Sequence, residues 1–204
     1  MQKITKLDHN LPRNHKEVDQ KTGIKQIIAL YGPAGIGKTT VAEKLCRELS
    51  GKTARISVDK IREMTYCFKE GSWKESDEYI TSGKKVVLPL TKEYINQGYN
   101  VVIEVAPPTT YDNDNGKTDK WLALSLKKIG ALVFLLDAPL AIILERNEKR
   151  EQKPEHHLNA KLIEKLYNYC QNYLDIEDYI VINTEKINAD KTKAFILKKM
   201  KRKR

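Results

Sequence analysis

A run of eight residues, Gly32-Pro33-Ala34-Gly35-Ile36-Gly37-Lys38-Thr39, matches the spacing G-x-x-x-x-G-K-[ST]. Its glycines let successive backbone N–H groups turn into one concavity that suits an anion. Lys38 adds a mobile cation for the β- and γ-phosphates of a nucleotide, and the Thr39 hydroxyl is placed to ligate Mg²⁺. Thr40 continues the run into a helix whose first N–H groups and positive dipole end face the same point. The flanks agree with that chemistry. Gln26 to Tyr31 is an apolar run that reads as a buried strand, and Thr40 to Leu49 has the spacing of an amphipathic helix. A nucleoside triphosphate is the implied ligand, held by Gly32 through Thr40.

Three further groups of charged residues could turn phosphate binding into phosphate transfer. Asp59 follows the second strand-like segment and could take the proton of an attacking hydroxyl, while Arg62, one turn on, could steady an anion of the substrate. Asp59 could equally cap the helix that it opens. Glu104 ends an almost continuous apolar run, the layout of a carboxylate that holds Mg²⁺ through water, or of a strand end with no metal role. Arg146 and Arg150 stand four apart on one helix face. They could meet charge that develops on the transferring phosphoryl group, or pair with Glu145 and Glu151 at the surface. Tyr66, Phe68, Trp73 and Tyr79 could stack on an acceptor's base or sugar, or pack the helices that carry them. The stretch 106–117, with Asp112, Asn113, Asp114 and Asn115, reads as a loop that could hydrogen-bond a polar acceptor or simply turn.

Positioning these groups requires strands and helices in alternation, the pattern of a parallel sheet covered on both faces. The expected strands are 26–31, 53–58, 100–105, 131–136 and 179–183. Helices are expected at 40–49, 60–69, 76–97 with a kink or junction at Pro89, 118–129, from Pro139 onward, around 158–169, and at the Lys-rich C-terminus. Ligands of such a sheet sit beyond the carboxyl ends of its strands, where Asp59 and Glu104 both fall.

At 204 residues, 40% hydrophobic, the chain reads as one globular domain over 26–197, with a polar strap at 1–25 and a basic tail at 198–204. The net charge is +10, and Lys198, Lys199, Lys201, Arg202, Lys203 and Arg204 supply six of those charges. That tail could contact a polyanion, or be a solvated helix end whose cations suit the dipole. No apolar run reaches the roughly 20 residues of a membrane span, and the polar N-terminus lacks a secretory pattern. Three scattered cysteines, Cys46, Cys67 and Cys170, read as reduced thiols, so a cytoplasmic setting without a membrane partner or structural metal is expected.

Together the loop, Asp59 with Arg62 as a D-x-x-R element, and the helix bearing Arg146 and Arg150 resemble the small P-loop kinase superfamily. The look is closest to its polynucleotide-kinase-like and adenylylsulfate-kinase-like groups, an AAA-type kinase branch, over about residues 26–186. That resemblance implies an α/β P-loop NTPase three-layer sandwich, a five-stranded parallel sheet of order 2-3-1-4-5 and a helical lid. It implies transfer of a γ-phosphate to a hydroxyl, with Lys38, Asp59, Arg146 and Arg150 catalytic, and Asn183 and Thr184 near the adenine ring. Glu104 stands where these families more often carry Asp, and Pro107-Pro108-Thr109-Thr110 lacks a basic residue often found after the third strand. The absence of a guanine-reading N-K-x-D pattern favours ATP, with Mg²⁺. The expected acceptor is a small molecule or a nucleic-acid 5′ end. A nucleic-acid-associated ATPase or switch, and a nucleoside monophosphate kinase, are the alternatives.

Overall fold

Near-continuous runs of Ile, Val and Leu, as in Ile27–Tyr31 and Leu132–Asp137, are what a strand buried on both faces requires. In the computed structural model, which describes residues 25–64, 77–105, 116–149, 158–173, 177 and 179–202, five such runs form one parallel sheet. The strands are β1 (Ile27–Tyr31), β2 (Thr53–Ser57), β3 (Asn100–Glu104), β4 (Leu132–Asp137) and β5 (Ile180–Asn183). Their spatial order is β2-β3-β1-β4-β5, all neighbours parallel, as expected for a P-loop NTPase fold.

Among the described residues the helices are α1 (Lys38–Glu48), α2 (Val58–Glu63), α3 (Asp77–Asn96), α4 (Lys117–Lys128), α5 (Leu140–Glu148), α6 (Ala160–Tyr173) and α7 (Ala189–Arg202). Strand periodicity sorts the core into two layers. Ala29, Tyr31, Ile103 and Leu135 face α3, α4 and the C-terminal half of α6, in a cluster with Val87, Leu122 and Tyr169. Leu30, Val102, Phe134 and Leu136 face the other way, against Val41 and Leu45 of α1, Ile143 of α5 and Ile196 of α7.

Some boundaries differ from the sequence expectation for local reasons. Val58 opens α2 instead of closing β2, because the Ser57 hydroxyl accepts the Lys60 N–H and so caps the helix. Helix α3 runs unbroken through Pro89. Helix α7 continues through Arg202, so the basic residues Lys198, Lys199 and Lys201 extend a helix and do not form a separate tail. The strap at 1–24, the acceptor-side stretch 65–76 and the loop 106–115 lie outside the described residues, and so does the side chain of Tyr79. No described helix is long and apolar enough to cross a membrane.

One polar group is sealed inside the first layer. Lys84 of α3 donates to Asp119 Oδ2 of α4 at 2.7 Å, and the Tyr169 hydroxyl of α6 donates to the same oxygen at 2.7 Å. Lys84 and Asp119 are both essentially without solvent contact. Beside them, burial pushes the Tyr31 phenol well above its ordinary value, with Asp119 and Tyr179 adding to the effect. Burial likewise pushes the Cys170 thiol up to about 12, so it is an inert core thiol. Removing one half of a buried ion pair strands the other without a counter-charge. Asp119→Ala should therefore cost about 3–5 kcal/mol of unfolding free energy in denaturant titrations. The double change Lys84→Met with Asp119→Leu should recover most of it. Equal losses in the two variants would show that packing, and not the stranded charge, sets the cost.

Candidate active site

The phosphate-binding loop hangs between the end of β1 and the start of α1. Gly32 adopts φ 138°, and a Cβ there would meet the carbonyl oxygen of Leu136 on β4 at 2.5 Å. Only glycine lets the chain leave β1 so close to the neighbouring strand. The loop is pinned from below by Ile36, which is buried among the α1-facing residues. At its far end Gly37 is the N-cap of α1, so no side chain caps the helix, and no acidic residue lies in its first turn. The leading N–H groups and the dipole of α1 thus meet no protein carboxylate of that turn, an arrangement suited to a bound anion. Lys38 Nζ donates to the carbonyls of Gly32 at 2.7 Å and Pro33 at 3.0 Å, folding the ammonium across the loop. Pro33 and Ala34 complete the curve.

Glu104 owes its place to strand parity. It shares with Val102 the α1-facing side of β3, and it is only 5% exposed. There its Oε2 accepts the Thr39 hydroxyl at 2.7 Å, and its Oε1 accepts Arg55 Nε at 2.5 Å. Arg55, on β2, also donates from Nη1 to Glu43 Oε1 of α1 at 2.9 Å. The two residues that the sequence marks for Mg²⁺, Thr39 and Glu104, are thus brought into contact, whereas Arg55 does not stand out in the sequence. Its only local signal is the alternation of β2, in which Ala54 and Ile56 are buried and Arg55 takes the opposite face. A hydroxyl and a carboxylate are hard oxygen donors, and Mg²⁺ typically takes one or two protein oxygens together with nucleotide phosphates. Thr39 and Glu104 fit that demand, and no group of three or more His, Cys, Asp or Glu gathers elsewhere among the described residues.

Asp59 lies in the first turn of α2, two residues past the Ser57 that pairs in register with Glu104. Ser57 takes the capping role, so the alternative that Asp59 caps α2 gives way. Instead Asp59 Oδ1 accepts from Arg62 Nη2, and the carboxylate side chain remains 51% exposed. Arg62 itself is buried, at 6% exposure, under α3. Its stem fits because residue 83 is glycine. A Cβ at Gly83 would meet Arg62 Cγ and the Val58 carbonyl, each at 2.8 Å. In this arrangement Arg62 holds Asp59.

On the opposite side of the loop a cavity of about 450 Å³ opens between Gly35, Gly37 and Thr40 and the segment that follows β5. Thr184, Lys186 and Asn188 line its outer wall. Thr184 is fixed by its N–H on the Asp137 carbonyl at 2.7 Å, and it receives Arg146 Nη1 on its hydroxyl at 3.0 Å and Nη2 on its carbonyl. Arg146 is thus part of the cavity wall. Asn183 does not line the cavity; its Oδ1 accepts the Glu185 N–H at 2.8 Å and shapes the turn. Arg150 lies outside the described residues.

A family model described as an AAA domain matches residues 27–171. Among curated proteins, none matches the sequence. Solved structures resemble the fold at low identity. A shikimate kinase from Bacteroides thetaiotaomicron superposes with TM-score 0.59 at 15% identity, covering 86% of this chain and 98% of that one. The tunicamycin resistance protein of Deinococcus radiodurans gives TM-score 0.55 at 21% identity, covering 86% and 95%. Thymidylate kinase from Candida albicans gives 0.58 at 15% identity, covering 88% and 92%. The chain belongs to the AAA-domain family whose model spans its loop, Asp59, Glu104 and Arg146, and its sheet has the fold of the P-loop kinases.

Proposed function

We propose that this protein is a kinase that binds ATP with Mg²⁺ and passes the γ-phosphoryl group to a hydroxyl on a small molecule or a nucleic-acid 5′ end. The carrying observation is the exposed carboxylate of Asp59 and the side of the sheet on which it lies. Asp59 is relieved of capping by Ser57, oriented by buried Arg62, and left exposed beside the strand that ends in Glu104.

Each group then has a task. The cavity beside Thr40 takes the nucleoside, with Arg146, braced on Thr184, flat against the base in place of a phosphoryl contact. The loop N–H groups and Lys38 hold the phosphates, and the ammonium exchanges the Gly32 and Pro33 carbonyls for phosphate oxygens. Bound Mg²⁺ supplies charge neutralisation at the β- and γ-phosphates. Glu104 accepts a hydrogen bond from the Thr39 hydroxyl, which leaves a lone pair of that oxygen for the nucleotide side. Asp59 takes the acceptor's hydroxyl proton as its oxygen bonds the γ-phosphorus and the bond to the β-phosphate oxygen breaks, releasing ADP. The kinase names of structures with this fold support phosphotransfer as the reaction type.

The direct test is γ-labelled ATP with Mg²⁺ offered to pooled 5′-hydroxyl oligonucleotides, nucleosides, nucleoside monophosphates and sugars. Label in one pool supports the kinase reading, and label only in free phosphate overturns it. Asp59→Asn should lower transfer by roughly 10²–10⁴-fold with nucleotide affinity unchanged; undiminished transfer would remove Asp59 as the base. Arg146→Ala should weaken ATP about ten-fold while leaving inorganic triphosphate affinity alone, as a base contact requires. Equal weakening of both ligands would place Arg146 on the phosphates.

A further inference from the structure

Glu104 is held by more than its intended partner. Both of its carboxylate oxygens are engaged, Oε2 by Thr39 and Oε1 by Arg55, at a strand end with only 5% exposure. The register explains the contact. Arg55 pairs with Val102, so Glu104 sits two residues further along the neighbouring strand on the same face, within reach of a long side chain. Arg55 is in turn braced by Glu43 of α1, so its guanidinium bridges two carboxylates while Glu104 alone continues to the loop threonine.

A guanidinium in contact with a carboxylate competes with any second cation for that carboxylate. Here the carboxylate that is competed for is only 5% exposed, while the competing guanidinium keeps 35% of its side chain open to water. We propose that Arg55 is a positioning residue that keeps Glu104 as the acceptor of the Thr39 hydroxyl and prevents it from capturing a metal ion directly, so that a divalent cation binds only together with nucleotide phosphates. This inference rests on the nucleotide-and-metal reading of the site above. Without Arg55, Glu104 would keep its burial but lose its counter-charge, and a dication would replace it. Losing the orienting hydrogen bond acts in the opposite direction. The charge term dominates, because the carboxylate is desolvated and the arriving ion carries twice the charge of the one removed.

Manganese is a suitable probe, since free Mn²⁺ is counted by its paramagnetic resonance signal with and without ADP. Wild-type protein should bind Mn²⁺ weakly alone and tightly with ADP. Arg55→Gln should bind Mn²⁺ without nucleotide roughly ten-fold or more tighter than wild type, the scale on which partners of ligating carboxylates act. Arg55→Met, which keeps the apolar stem on β2, should do the same, and adding Glu104→Gln to either variant should abolish the gain. Arg55→Lys should stay near wild type. Glu43→Gln breaks only the brace on α1 and should leave nucleotide-free Mn²⁺ binding unchanged. Equal nucleotide-free affinity in wild type, Arg55→Gln and Arg55→Met would overturn the inference. So would an equal shift in Glu43→Gln, which would make Arg55 a tie between β2 and α1. Failure of wild type to bind Mn²⁺ with ADP would instead overturn the reading of the site itself, a separate outcome.

Discussion

The hydrogen bond from Thr39 to Glu104, 2.7 Å long, fixes the relation between the head of α1 and the end of β3, and the site is built around it. It can form only because β3 adjoins β1 in the sheet and because Glu104 shares the α1-facing side with Val102. A slip of one residue in register would turn Glu104 into the opposite layer, toward Val87 and Leu122, away from the Thr39 hydroxyl. The tight exit of the chain at Gly32 is part of the same constraint. The loop must clear the Leu136 carbonyl of β4 while α1 returns over β3, which confines both neighbours of β1.

From that centre the two sides of the sheet take different work. Toward β4 and β5, Thr184 is tied to Asp137 and to Arg146, and the cavity beside Thr40 results. Toward β3 and β2, Arg62 packs under Gly83 and turns its guanidinium to Asp59, so the exposed carboxylate depends on how closely α2 and α3 approach. Beneath both lies the pair of Lys84 and Asp119 with Tyr169, one element each from α3, α4 and α6. A sealed ion pair adds little stability compared with an apolar replacement, but it penalises any arrangement that separates its members. Its value here is to fix α3, α4 and α6 against one another.

Much of this was legible in residue order. The loop, the strands and the order 2-3-1-4-5 follow from strong local patterns and from the resemblance they support, and the structure bears them out. Thr39 and Glu104 each stand out by position, one at a helix head and the other at a strand end, but their direct hydrogen bond is a product of the fold. What escaped depends on contacts distant in sequence. Arg55 lies on an edge strand where a charged residue is ordinary, and only register with β3 brings it to Glu104. Ser57 and Asp59 both suit an N-cap by type, so the choice between them rests on where α2 begins. Asn183 and Thr184 look alike as a turn, yet one closes it and the other lines the cavity. Lys84 and Asp119 are separated by 35 residues and carry the charges usually found in water, so nothing local marks them as core.

The geometry of α7 separates its basic end from the site. Its first turns, at Ala189 and Thr192, line the cavity, and its flank is bound to α1 through Asp190 with Lys44 and Lys193 with Glu48. A helix rises about 1.5 Å per residue, so Lys201 lies roughly 18 Å along the axis from Ala189. A polyanion held at Lys198 and Lys201 would therefore lie on the far flank of the nucleotide half, beyond α1, while Asp59 stands across the sheet beside β3. On the kinase reading proposed above, an acceptor at Asp59 would therefore meet the α2 and α3 side and not the basic end of α7.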